Sequence, residues 1–123
     1  MILGRVNANR EAIIQIVVLN DRKNSLSIRG VIDTGYTGDI MLPKSIVEQL
    51  GLPAEGFQKG SLADGSSRMF EMYAGLVIWD GSIREATVNV AETGVLIGMR
   101  LLENHKLEVV AKPGGEVRIA SLS

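Results

Sequence analysis

The chain has no cysteine and one histidine in 123 residues. Disulfides and thiol nucleophiles are therefore excluded, and almost nothing is left from which to build a zinc site. No cofactor or metal is expected. Absence of disulfides is compatible with a reducing compartment, and the expectation is a cytoplasmic protein. No stretch is long and apolar enough to span a bilayer: the longest, Ala12 to Leu19, is interrupted by Gln15, and no basic segment followed by an apolar run opens the chain. A membrane-bound or secreted protein is not expected. Nor is there an excess of charge of one sign, since 13 Lys and Arg face 14 Asp and Glu and the basic residues are scattered singly. Without a basic stripe to follow phosphates, nucleic acid is not expected as a partner.

What is present is an ordinary globular composition, 46% hydrophobic and 22% charged, in a length that suits a single domain over residues 1–123. Fourteen glycines against three prolines point to many turns, as in an all-β chain. Glu11 to Leu19 and Ser25 to Ile32 read as two strands of a hairpin, the second alternating Leu26, Ile28 and Gly30 with Ser25, Ser27 and Arg29. After the apolar run Ile40-Met41-Leu42, Pro43 and Gly51 bracket a short helix, Lys44 to Leu50, with Ile46, Val47 and Leu50 on one side. Asp64-Gly65 and Asp80-Gly81 mark two further hairpins between Phe57 and Val90, the first with a polar tip suited to a projecting loop. Ala86 to Ala91 reads as a strand. Met99 to Glu103 favours a second short helix, with His105 at its exit in a solvated or helix-ending role, before strands Leu107 to Ala111 and Val117 to Ala120.

Several active sites can be set aside because their residues are missing: there is no Gly-x-x-x-x-Gly-Lys-Ser/Thr loop, no Gly-x-Ser-x-Gly elbow and no His-Glu-x-x-His pair. Carboxylate chemistry remains. Of the aspartates, Asp21, Asp64 and Asp80 sit in turns and Asp39 reads as a cap or brace, whereas Asp33 follows a strand directly and enters a turn of Thr and Gly. A carboxylate placed there needs hydrogen-bond donors, which Thr34, Gly35 and Thr37 can supply.

Two motifs in order resemble the retroviral-type (retropepsin-like) aspartic proteases, including their single-domain bacterial relatives. Val31-Ile32-Asp33-Thr34-Gly35 carries the Asp-Thr-Gly signature, and Leu96-Ile97-Gly98, followed by Met99-Arg100-Leu101-Leu102, resembles that family's apolar-apolar-Gly segment. The resemblance spans roughly Glu11 to Val110. Viral-type members usually carry Ala or Ser after Asp-Thr-Gly, whereas Tyr36-Thr37-Gly38-Asp39 looks like the bacterial relatives.

The resemblance implies an all-β fold, a small closed β-barrel with one or two short helices. Asp33 would be the catalytic carboxylate, Thr34 and Gly35 its loop support, and Leu96, Ile97 and Gly98 the packing beneath. The tip Ala63-Asp64-Gly65-Ser66 would be a flap over a peptide or protein substrate. Because peptide hydrolysis needs two carboxylates and the chain holds one Asp-Thr-Gly, a homodimer pairing Asp33 with its copy is expected. The terminal segments Met1 to Val6 and Val117 to Leu122 are candidates for its interface, as unpaired edges. The rival expectation is a non-catalytic peptide-binding or dimerisation module on the same fold.

Overall fold

A computed structural model describes residues 1–123. The chain runs β1 (Ile2–Val6), β2 (Ala12–Leu19), β3 (Ser25–Ile32), β4 (Ile40–Leu42), α1 (Lys44–Leu50), β5 (Ala54–Ser61), β6 (Ser67–Trp79), β7 (Ser82–Val90), β8 (Leu96–Ile97), β9 (His105–Val109) and β10 (Glu116–Ser121). All ten strands join one sheet in the order β5-β6-β7-β4-β8-β3-β2-β1-β10-β9, and a further β6–β2 pairing closes β2, β3, β8, β4, β7 and β6 into a ring. Strand β2 manages this by dividing one edge, pairing at Ala12–Ile14 with β1 and at Val17–Leu19 with β6. The architecture is the all-β barrel expected, with one helix. No helix is long and apolar enough to cross a membrane.

Alternation fixes which faces turn inward. In β2, Ile14, Ile16 and Val18 are buried while Gln15 is exposed; in β3, Ser25, Ser27 and Arg29 face solvent opposite that row. Ile40, Leu42, Val77, Val88, Ile97 and Leu101 fill the ring's interior, and Val117 and Ile119 extend the same core under β10. Burying each such side chain contributes about 1.5–3 kcal/mol. Helix α1 adds Val47 and Leu50 and ends where Gly51, at φ 61°, donates its N–H to Glu48 O. Buried Asn20 ties that end to the β2–β3 turn: its Nδ2 donates to Leu50 O at 2.8 Å and its Oδ1 accepts from the Arg22 and Asn24 N–H groups.

Three sequence expectations are corrected. Met99 to Glu103 forms turns rather than a helix: Leu102 N–H donates to Gly98 O, Glu103 N–H to Arg100 O and His105 N–H to Leu102 O, and Asn104 at φ 65° then turns the chain into β9 before a regular helix can run. The terminal segments are not free edges: β1 lies between β10 and β2, and β10 between β1 and β9, which leaves β5 and β9 as the outermost strands. His105 opens β9 and is half-buried, its Nε2 accepting from Trp79 Nε1 at 3.1 Å and its Nδ1 bonded to Glu103 O at 2.8 Å. Those two contacts require the neutral Nδ1–H tautomer.

Candidate active site

The site is built where β3 ends. Strands β3 and β4 flank β8, with Val31 and Ile32 opposite Leu96 and Ile97 in parallel and Ile40 and Met41 opposite the same pair antiparallel. The Asp33–Asp39 loop must therefore arch over the end of β8. Backbone bonds sew the arch down: Asp33 N–H donates to Ile97 O, Gly98 N–H to Asp39 O, Met99 N–H to Tyr36 O and Arg100 N–H to Gly38 O, all within 3.1 Å. Leu96, Ile97 and Gly98 are thus brought together with the Asp33 loop. Ile97 is fully buried, and a Cβ on Gly98 would collide with the Gly38 carbonyl and come 2.7 Å from Tyr36 Cδ2.

Within the arch Asp33 is half-buried, and its Oδ1 accepts the Gly35 N–H at 2.9 Å. Thr34 and Gly35 are exposed, and the Thr34 side chain has no hydrogen-bond partner in the chain. Tyr36 folds back beneath its own loop, donating its hydroxyl to Asn89 Oδ1 at 2.6 Å, with Ile40 O at 3.2 Å. Burial first, and then the charge of Asp39, push the Tyr36 hydroxyl far above the usual tyrosine range, so it stays a donor. The residue that departs from the viral pattern fills the space between the loop and β7.

The other carboxylates are engaged elsewhere. Asp39 is buried, and its Oδ2 accepts the Thr87 N–H at 2.9 Å. Asp64 accepts from the Ser66 hydroxyl and N–H, which hold its carboxyl below the ordinary range, so it is a poor proton donor. Asp39 is bound within the fold and Asp64 lies at the exposed hairpin tip, whereas Asp33 is partly exposed in the arch itself.

That space is a cleft of about 370 Å³ between the arch and the β5–β6 hairpin, lined by Asp33, Gly35, Gln58, Leu62, Ala63 and Asn89 among others. Of the four tip residues, Ala63 lines it; Asp64, Gly65 and Ser66 form the turn beyond, closed by Leu62 N–H to Ser66 O at 2.8 Å. Sequence reading did not single out Tyr36, Gln58, Thr87 or Asn89 as site residues. Only the apolar setting of Asn89, within Thr87-Val88-Asn89-Val90, hinted that a polar group there would need a partner.

A closed ring with an Asp-Thr-Gly arch seated over β8 and the buried Gly98 after it matches the retropepsin-like fold. The crystal structure of a retropepsin-like aspartic protease from Rickettsia conorii superposes with a TM-score of 0.61 over 98% of this chain and 91% of that chain, at 21% identity. No family model and no curated protein matches the sequence.

Proposed function

We propose that the chain is an aspartic endopeptidase active as a homodimer on extended peptides. The observation that carries this reading is the single half-exposed carboxylate of Asp33, held by the Gly35 N–H at the floor of a cleft, with the neighbouring Asp39 and Asp64 committed to structural bonds. The likeness to the rickettsial protein, itself described as an aspartic protease, agrees with it.

Hydrolysis needs one group to accept a proton from water while another donates one to the peptide carbonyl. Two carboxylates about 3 Å apart do both, because at that distance they share a single proton, as in the aspartic-protease dyad. Asp33 from each of two chains supplies the pair. The water oxygen adds to the carbonyl carbon as one Asp33 takes its proton and the other protonates the carbonyl oxygen. Proton return to the nitrogen then releases the amine as the C–N bond breaks. In this reading Thr34, exposed and unbonded within the chain, bonds to the partner's loop, while the hairpin shields the reaction from water.

The test is cleavage of a peptide library at mildly acidic pH. Asp33→Asn, which keeps the size and the hydrogen bond from Gly35, should lower turnover on the order of a thousandfold or more. Equal cleavage by the variant would overturn the assignment, and binding without cleavage by the unaltered chain would point to a peptide-binding module instead.

A further inference from the structure

Beyond Met72 the β5–β6 hairpin pairs only with itself. The β6–β7 ladder stops at Met72 opposite Asn89, while β5 and β6 stay in register from Gly56 and Met72 out to Ser61 and Ser67. A two-stranded ribbon is marginal by itself in water, so its position over the cleft depends on what ties its base down. Two side-chain ties do so. On β6, Glu71 accepts from Lys44 Nζ of α1 at 2.9 Å. On β5, Gln58 Oε1 accepts from Asn89 Nδ2 at 3.1 Å, inside the cleft.

The second tie does not end at Asn89. Its Oδ1 accepts the Tyr36 hydroxyl, and the same hydroxyl lies against Ile40 O at the far foot of the Asp33 arch. Asn89 is 4% exposed, so its amide has little water to turn to. With Asn89 Oδ1 taking the Tyr36 hydroxyl at 2.6 Å, its Nδ2 points a hydrogen toward the cleft, where Gln58 Oε1 meets it. Each bond dictates the orientation of the next.

We infer that Tyr36, Asn89 and Gln58 are positioning residues, a hydrogen-bonded relay that sets the height and register of the hairpin over Asp33. Gln58 lines the cleft and only its Oε1 is engaged within the chain, so a peptide backbone entering the cleft meets a free Nε2 donor on the relay's last member. The relay thereby links seating of the substrate to the loop carrying the carboxylate. This use of the relay rests on the endopeptidase reading; its existence in the free protein does not.

The full chain carrying Asp33→Asn, which cannot turn over peptide, is used for hydrogen–deuterium exchange without added ligand. Tyr36→Phe and Gln58→Leu should each speed exchange in residues 54–72 by about fivefold, the factor expected for one net hydrogen bond, and leave residues 12–19 unchanged. The double variant should be no faster than either single one, because the bonds act in series. Asn89→Asp should keep exchange slow, because its carboxylate accepts from Tyr36 and, after the Gln58 amide rotates, from Gln58 Nε2. Asn89→Leu should speed it about as much as the other two variants. Unchanged exchange in residues 54–72, strictly additive effects, or a uniform rise across the protein would overturn the relay. In the chain that retains Asp33, the same Gln58→Leu change should raise KM for cleaved library peptides by about fivefold with little change in kcat. An inert chain with the exchange pattern intact would count against the endopeptidase reading and not against the relay.

Discussion

Gly98 lies so close to the Gly38 carbonyl that no side chain fits between them. The contact is backbone against position, so no rotamer change can relieve it. Gly98→Ala must lift the Asp33 arch or push β8 inward, driving Ile97 into the core beside Ile40. The expected cost is about 3 kcal/mol, the upper end for overpacking, read as a fall in the urea midpoint with an unchanged slope. Asp33 should lose its fixed height in the same variant, so any peptidase activity should fall by more than stability alone explains.

Thr34 offers a cleaner separation of chain from dimer. Its hydroxyl has no partner within the chain, so Thr34→Val should leave monomer stability within about 0.5 kcal/mol. If each hydroxyl bonds across a two-fold axis, a dimer loses two hydrogen bonds, about 2 kcal/mol, and Kd rises roughly thirtyfold. Sedimentation equilibrium of the two proteins measures this directly. An unaltered Kd would mean that the loops do not meet.

The Lys44–Glu71 tie predicts a pH dependence. The Lys44 hydrogen bond holds the Glu71 carboxyl below its ordinary 4.5, and the Tyr73 hydroxyl and then Glu71 raise Lys44. A depressed acid contributes stability in full above its unfolded value and loses it as pH falls through the lower folded value. A raised amine contributes below its unfolded value and loses its part only in strong alkali. The tie therefore persists at mildly acidic pH and is lost only as pH falls below the ordinary carboxylate range, through the lowered folded value. Thermal unfolding of the parent and Glu71→Gln should differ at pH 6 and converge toward pH 3. A constant difference would show that Glu71 acts through packing. Both side chains are 38% exposed, so the shift should be small and reduced by salt.

Local chemistry wrote much of the fold legibly. Pro43 and Gly51 bracket α1 as expected, β3 matches Ser25–Ile32 residue for residue, and Asp64-Gly65 and Asp80-Gly81 turn the two hairpins. Asp33 and Gly98 were legible as a pair from their motifs, and the backbone bonds that join their segments are in place. What stayed hidden depends on partners distant in sequence. Met99 to Glu103 is a short run of turns held between the Asp33 arch and β9, whose partner β10 lies at the far end of the chain. The terminal strands looked unpaired because nothing near Ile2 announces Ile119 opposite it. The side chains of Tyr36, Asn89 and Gln58 meet from three separate elements, and no spacing in the chain encodes that meeting.

Strand β6 runs unbroken from Ser67 to Trp79, serving the ribbon at one end and the ring at the other, with Met72 and Tyr73 paired on both sides. The hairpin consequently has no joint on that side. To lift it, the strand itself must bend, and bending a laddered strand raises energy smoothly with displacement rather than releasing it at a loop. Opposite this stretch β5 carries a register shift between Ala54 and Gly56, with Gly56 at φ 109°, so the ribbon's two strands differ in stiffness at its base.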